Sequence, residues 1–407
     1  MLDSRLALTP AMSPPARAAG WEARVVSDAR GFAALESEWN ELAADSLVDH
    51  PFCGFDWMRC WWQAFGEGRE LRIVVARRGG RAMGIAPLML TRGRLLGLPV
   101  RRLEAMANEQ TPRFDFLVAR GAESAYDAIW QALREDAQWD VLQLTQAPDT
   151  GPTVQALQRL AGSAGSPVGR WAADASPYLV LDEGRDDGYR RVVGRKHRSN
   201  VERLARRLAA LGPIVLETVS EPRDVASSID DGFRLEASGW KERIGTAIAS
   251  QPRVQGFYRS LAQNQAANGD VELVFLKSDG RRIAFLYVVR RGRGFYLLKC
   301  GYDPEYARHA PVHVLCHLLF SEASERRLDL IEFLGGNDEW KQRWTHRTVQ
   351  HVWLYVFRDA WWTRLLCRTK FELVPHLKQQ PLCRALFVRL RGRMVPVDSP
   401  QLQPSEG

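Results

Sequence analysis

The chain has 407 residues, 45% of them hydrophobic and 26% charged, with a formal net charge of +8. That length exceeds one ordinary core and suits two globular domains plus tails. No run of about 18 uncharged apolar residues occurs, which excludes a transmembrane helix, and six scattered cysteines without a CxxC pair exclude a disulfide framework. The positive charge favours anionic partners such as coenzyme phosphates, anionic lipid or nucleic acid. Met1 to Gly20 carries Pro10, Pro14 and Pro15 and lacks the apolar core of a signal peptide, so it reads as a disordered leader on a cytoplasmic protein.

Trp21 to Ser27 alternates as a strand, and Asp28 then caps a helix carrying Phe32, Leu35, Trp39 and Leu42 on one face. A second helix follows Asp56, with Trp57, Trp61, Trp62 and Phe65. Leu71 to Ala76 and Met83 to Leu90 flank Arg78-Gly79-Gly80-Arg81, a hairpin signal. Tyr126 to Asp136 and Thr153 to Leu160 read as helices around a short strand, Val141 to Leu144. Ala161 to Pro167 is small and turn-prone, a connection between domains.

Beyond it, Tyr178 to Leu181 is a strand, and Asp187 to Leu211 a long basic helix stopped at Gly212-Pro213. Ile214 to Val219 is a strand, and Pro222 to Trp240 and Val254 to Ala267 are helices. Three strands follow in quick succession, Val271 to Leu276, Ile283 to Val289 and Phe295 to Cys300, separated by turns at Asp279-Gly280 and Arg291 to Gly294. Helix Val312 to Ser324, strand Leu328 to Phe333, a short helix from Glu339 to Trp344 and strand Val349 to Tyr355 complete the half. This order predicts a mixed α/β sheet with an antiparallel meander crossing over to a parallel neighbour. The first half repeats the order faintly, so two related domains are expected: a leader at 1–20, domains at 21–175 and 176–358, and a basic amphipathic tail at 359–407.

Four segments resemble one known family in the right order. Gly194-Arg195-Lys196-His197-Arg198-Ser199-Asn200, Leu235-Glu236-Ala237-Ser238-Gly239-Trp240-Lys241, Gly301-Tyr302-Asp303-Pro304-Glu305-Tyr306-Ala307 and the stretch Phe333 to Trp344 are similar to the CelD-like acetyltransferase domain of the GNAT superfamily. That family is related to the FemAB-like peptidyltransferases, which carry two GNAT domains. The resemblance implies two tandem GNAT-like domains with a helical C-terminal tail. It also implies transfer of an acetyl or other acyl group from acyl-coenzyme A to an amine or hydroxyl of a sugar or a cell-envelope or exopolysaccharide precursor. The alternatives are FemAB-like aminoacyl transfer from aminoacyl-tRNA and a non-catalytic scaffold in polysaccharide assembly. Two positions depart from the family pattern: Val312 stands where a Gly usually follows the Pro, and Trp340 where a Tyr is common.

The expected coenzyme site is the strand-to-helix passage with Cys300, Gly301, Arg308, His309, Ala310 and Val312, because pyrophosphate binds bare N–H groups at a helix N-terminus. Asp338, Glu339 and Glu332 are the candidate general bases at a strand end, and Lys341 a candidate for the developing oxyanion. Trp240, Lys241 and Trp340 are expected to line the acceptor pocket. No metal is expected, since His313 and His317 lack the HExxH pattern. Nucleic acid is not expected either, tRNA excepted under the aminoacyl alternative. The tail mixes Trp361, Trp362, Leu365, Leu366, Leu386, Phe387 and Leu390 with many Arg and Lys, which suggests peripheral contact with the inner membrane.

Overall fold

A computed structural model describes residues 20–181, 188–238 and 247–379. Two halves follow one another. The first opens with β1 (Trp21–Val26), then helices Ala29–Ala34, Glu36–Ala44 and Phe55–Phe65, and β2 (Glu70–Leu71). Next come β3 (Ile73–Arg78), β4 (Arg81–Ala86), β5 (Leu88–Leu95), β6 (Leu98–Ala105) and β7 (Leu117–Val118). Helix Ala125–Glu135, β8 (Val141–Pro148), helix Pro152–Ser163 and β9 (Val168–Ala172) close it. The second half runs β10 (Ser176–Val180), helices Gly188–Val192 and Arg195–Ala209, β11 (Ile214–Val219), helices Pro222–Ala237 and Pro252–Ala267. It continues with β12 (Val271–Ser278), β13 (Arg281–Arg291), β14 (Gly294–Tyr302), helix Pro311–Ser321, β15 (Leu330–Glu332), helix Glu339–Gln342, β16 (Thr348–Val349) and β17 (His351–Phe357). Helices Trp361–Arg368 and Val374–Gln379 follow.

Three sheets result, in the orders β1-β3-β4-β7, β2-β5-β6-β8-β17-β9 and β11-β12-β13-β14-β15-β10-β16. The predicted hairpin at Gly79-Gly80 forms, with both glycines at positive φ (58° and 82°), as its tight turn requires. The apolar run after it is divided at Pro87, which has no N–H for a ladder. Residues before Pro87 stay with β3, and those after it cross to the next sheet as β5 and pair with β6, a strand that sequence patterning did not reveal. The predicted basic helix is interrupted at Val193-Gly194. Val193 is buried and its carbonyl accepts from Arg198 Nε at 3.0 Å.

The meander β12–β13–β14 forms as predicted, and β14 then pairs in parallel with β15 after the helix Pro311–Ser321 has crossed the sheet. One face of this sheet packs on helices Pro222–Ala237 and Pro252–Ala267, in a core continuous with the first half: Trp57 meets Phe257 edge-on at 5.3 Å and Phe52 meets Tyr296 at 5.6 Å. The other face packs on Arg195–Ala209 and Pro311–Ser321. The last strand, β17, lies between β8 and β9 of the first half, antiparallel to both. The second half closes its own sheet with β10, which precedes its helices. The mixed α/β fold with two related halves is therefore present, with one strand of the later sequence built into the earlier sheet.

Candidate active site

β14 and β15 are hydrogen-bonded over three residue pairs, Gly294–Leu330, Phe295–Ile331 and Tyr296–Glu332, and then part. β15 ends there, while β14 runs on to Tyr302. From Leu297 onward the edge of β14 that faces β15 has no strand partner among the described residues, so a fork opens with backbone polar groups along one prong. A ligand with amide or thioester groups can complete that edge.

A bulge shapes the prong. The β13–β14 register shifts between Tyr287 and Val288, so that Tyr287 opposes Lys299 and Val288 opposes Leu297, with Leu298 the extra residue. Phe295 and Leu297 face the core on the Arg195–Ala209 side, whereas Tyr296 and Leu298 face the other core. Strict alternation would send Lys299 after Phe295 and Leu297. The bulge instead leaves it on the same side as Leu298, where its Nζ sits 5.1 Å from the Tyr258 ring centre and 3.1 Å from Gln110 Oε1. Tyr258 also donates to Gln110, at 2.9 Å. Gln110 belongs to the first half, on the segment linking β6 to β7. Lys299 is the polar site residue that pattern reading missed, and only the extra residue in the strand signals it.

The same linking segment reaches the floor of the fork. Arg113 Nη2 donates to Glu332 Oε2 at 2.7 Å, with the two side chains 9% and 4% exposed. Arg113 Nε donates to His351 Nε2 at 3.3 Å, which makes Nδ1 the protonated nitrogen, donating to the Asp174 carbonyl at 2.9 Å. Burial holds the His351 imidazole down at about 4, with Arg113 adding to the shift. Burial raises the Glu332 carboxyl above its ordinary range, and the Arg113 charge opposes that rise. Glu332, expected as a candidate base, is thus a buried ion-pair member that joins the halves at the last paired residue of the fork.

At the fork's mouth, the turn Pro304–His309 ends on Ala310 in the left-handed region (φ 46°), and the helix starts at Pro311. No side chain caps this helix, and Pro311 has no N–H, so its first-turn amides are left to other acceptors. Arg308 is exposed and its Nε donates to His309 Nε2 at 3.0 Å. His309 is buried, and its Nδ1 has no protein partner. Its pKa is lowered first by burial, then by the charges of Arg308 and Arg207, and the basic helix Arg195–Ala209 that carries Arg207 packs against this turn. A dipole end, an orphaned imidazole nitrogen and two guanidinium groups suit a pyrophosphate or phosphate group. The expected Arg308, His309, Ala310 and Val312 are all brought to this one place.

The neighbours are less uniform. Cys300 packs against the Arg195–Ala209 side core. Gly301 faces a helix rather than a ligand: a Cβ there would lie 2.4 Å from the backbone N and Cα of Glu236. Its smallness serves the close crossing of β14 under Pro222–Ala237. Lys341 is buried and its three ammonium donors are used, on the Leu334 and Gly336 carbonyls at 2.8 Å and on Asp338 Oδ2 at 2.9 Å. It clamps the Gly335-Gly336 turn, and an oxyanion would find no donor left on it. Glu339 is exposed and bridged to Arg343 at 2.8 Å. Of the expected bases, Asp338 is the N-cap residue of the short helix Glu339–Gln342 and Glu339 lies in its first turn. Trp340 is half-buried, edge-on to His313 and Phe333. His313 in turn stacks on Trp344 at 5.7 Å, and His197 meets Trp344 edge-on at 4.6 Å. Burial depresses both imidazoles to about 4, and His197 Nε2, His313 Nδ1 and Trp344 Nε1 have no protein partners. Trp240 and Lys241 lie outside the described residues. Among the described residues no group of three His, Cys, Asp or Glu could hold a metal ion.

Comparison with known proteins agrees with this geometry. Residues 195–342 match the family model described as Acetyltransferase (GNAT) domain. No curated protein sequence matches the chain. Among solved structures, FemX superposes with a TM-score of 0.56 at 13% identity, covering 81% of this chain and 98% of its own. A conserved protein of unknown function from Bacteroides thetaiotaomicron VPI-5482 gives 0.51 at 11% identity, covering 82% and 100%. At such identities the likeness concerns the fold, which in both cases extends over the two halves together. The fork, the bulge and the bare helix terminus all lie within residues 195–342, the stretch similar to that acetyltransferase domain, and such a domain implies an acyl-coenzyme A co-substrate.

Proposed function

We propose that the second half transfers an acetyl or other acyl group from acyl-coenzyme A to an amine or hydroxyl on a sugar or cell-envelope precursor, in the manner of CelD-like acetyltransferases. The observation that carries this reading is the open prong of β14 ending at an uncapped helix with Arg308, Arg207 and the orphaned His309 nitrogen around it. In this reading the helix terminus and both arginines hold the coenzyme phosphates. The unpaired edge of β14 beyond Tyr296 aligns the acyl arm, and its amides polarise the acyl carbonyl. Lys299, held by Gln110 and close to Tyr258, supplies positive charge on the acceptor side. Asp338 remains the candidate for proton removal, directly or through water.

FemAB-like transfer from aminoacyl-tRNA is the second reading. It is favoured by the FemX-like fold of both halves and by Arg195, Lys196, Arg206 and Arg207, exposed along one basic helix. Calorimetric titration of the full chain with acetyl-coenzyme A, and separately with charged tRNA, tests both. Micromolar binding of acetyl-coenzyme A with none for tRNA is the expected result. The reverse selects aminoacyl transfer, and binding of neither leaves a non-catalytic scaffold.

A further inference from the structure

A second exposed feature lies apart from the fork. β5 and β6 pair from Leu88–Ala105 out to Leu95–Leu98, yet β2 pairs only Met89 and Leu90 of this hairpin and β8 only Arg102 to Glu104. Residues 92–101 therefore form a two-stranded arm with no flanking strand among the described residues. Its inner residues Leu95 and Val100 share a small apolar cluster with Val141, Tyr355, Phe357, Leu366 and Cys367, so the helix Trp361–Arg368 packs in the same cluster as the arm.

The outer residues are unusual. The arm turns through Leu96 and Gly97, both at positive φ (52° and 83°). Asn, Asp and Gly suit such a turn, whereas a left-handed Leu crowds its own Cβ against the following carbonyl. The strained side chain adds nothing to a core, since Leu96 is 45% exposed and Leu98 54%. On the adjoining helix Trp361 is 78% exposed and Leu365 59%, one turn apart on the face opposite Leu366 and Cys367. Twelve large apolar side chains are exposed among the described residues. Six of them, Leu96, Leu98, Trp171, Trp361, Leu365 and Leu373, surround this one cluster, with Trp171 joined to it through Phe371 at 5.7 Å.

The background is basic. Arg92, Arg94 and Arg368 are exposed, and among the described residues none of the three forms an ion pair. On the helix side Asp359 is bridged to Arg364 at 2.7 Å, and Glu372, exposed near Cys367, is a single carboxylate among these cations. Lys370 stands over the rings of Tyr355 and Trp171, at 4.9 and 5.5 Å. A protein–protein interface core is depleted in charge. Exposed Leu and Trp set among unpaired Arg are instead the composition of a surface that enters the headgroup region of a bilayer.

We propose that the β5–β6 arm and the helix Trp361–Arg368 dock the protein on a membrane bearing anionic lipid, with Leu96, Leu98, Trp361 and Leu365 entering the interface and the arginines meeting lipid phosphates. The tail helix thus packs through Leu366 and Cys367 and binds lipid through its other face, and the arm is a contribution of the first half that the tail alone did not suggest.

The test is flotation of the full chain with vesicles of phosphatidylcholine, alone or mixed with phosphatidylglycerol. The wild type is expected to float with the mixed vesicles, less so at high salt, and to stay unbound with phosphatidylcholine alone. Leu96→Asn combined with Leu98→Asn should weaken flotation roughly tenfold, from the loss of two inserted side chains. Leu96→Asn by itself should raise the Tm, because Asn suits the turn, while still weakening flotation; a merely structural Leu96 would not separate the two readouts. Failure of the wild type to float with the mixed vesicles overturns the proposal, as does equal flotation of the double variant. So does conversion of a dimer to a monomer by Leu96→Asn in light scattering, which would assign the surface to a second copy. A chain ending at Gln379 should float as the full chain does; loss of flotation there, with Leu96→Asn unaffected, would move the binding to residues 380–407 and overturn it equally.

Discussion

In the first half, β6 and β8 run parallel over Arg102–Val141, Leu103–Leu142 and Glu104–Gln143, and β6 then stops one residue later at Ala105. In the second half, β14 and β15 pair over an equal three positions, and β14 continues six residues further, to Tyr302. The first fork is filled by the chain that leaves it. Met106, Phe114 and Phe116 are fully buried, and Phe114 N donates to Gln146 O on β8 at 3.1 Å. The crossover helices differ in the same sense. Ala125–Glu135 starts with its early amides already bonded to Ala122, Glu123 and Ser124 carbonyls, and Glu123 and Asp127 put negative charge there. Pro311–Ser321 starts uncapped just after Arg308, with the basic helix Arg195–Ala209 packed against it. A helix N-terminus attracts an anion, and carboxylates at that place oppose one. One architectural unit thus occurs twice, once with an open strand edge and a basic, uncapped helix terminus and once as a packed support whose linking segment reaches the other's fork.

The sharpest way to break that division of labour is to cut the tie between the halves. Arg113→Ala would leave Glu332 charged, buried and alone, a change that costs about 3–5 kcal/mol in comparable buried pairs. Urea unfolding should show that loss, and Arg113→Met with Glu332→Gln together should recover most of it. If the single variant is as stable as the wild type, the pair is not what holds the first half's segment at the fork. The next largest effect separates the two helix termini. Arg308→Glu with Arg207→Glu should weaken acetyl-coenzyme A binding roughly 10- to 100-fold, as expected for the loss of two charge-assisted phosphate contacts. Glu123→Ala with Asp127→Ala, at the matching place in the first half, should leave the affinity within about twofold. Equal losses from both pairs would make the forks equivalent and undo the comparison. Gly301→Ala probes the prong itself: the added Cβ would meet the Glu236 backbone, so a Tm drop equivalent to about 1–3 kcal/mol is expected.

Much of the second half was legible because its signals are local. Gly280 and Gly292 at positive φ mark the meander turns, the β-branched and aromatic runs between them are buried on both faces, and Pro311 opens the crossover helix. The helix terminus from Arg308 to Val312 could be located for the same reason. What could not be read depends on partners distant in sequence. Glu332 looks like a strand-end carboxylate until Arg113, 219 residues away, is placed upon it. Lys341 looks like a free ammonium until the Gly335-Gly336 turn folds its carbonyls back. Lys299 is hidden by the bulge at Leu298, which changes the side on which the rest of the strand points. β17 reads as the second domain's final strand by order, and only the sheet shows it between β8 and β9.

The filled state of the first fork predicts a pH signature. Asp115 lies in that filling, buried, with its carboxylate accepting from Phe116 N at 3.1 Å. Burial raises its pKa from 3.8 to about 7, with Thr153, Phe116 and Arg113 opposing the rise. A carboxyl raised on folding contributes stability in its protonated form: the contribution is complete below pH 4 and is lost as pH climbs through about 7. His50 and His351 act in the opposite direction. Burial lowers both, so the neutral folded forms contribute stability above the ordinary imidazole range and lose it on acidification. The two effects share the window from about pH 4 to 7 and oppose one another there, so the wild type's stability changes less across it than the histidines alone would give. Asp115→Asn keeps an acceptor for Phe116 N but has no proton to lose. It should gain on the order of 1–2 kcal/mol relative to wild type between pH 5 and 8 and so steepen the loss of stability on acidification that the histidines cause. Chemical denaturation of both proteins across that range reads the difference directly. A constant offset with pH would mean that Asp115 is ionised throughout, and that the first fork holds a charge where its packing argues for a neutral group.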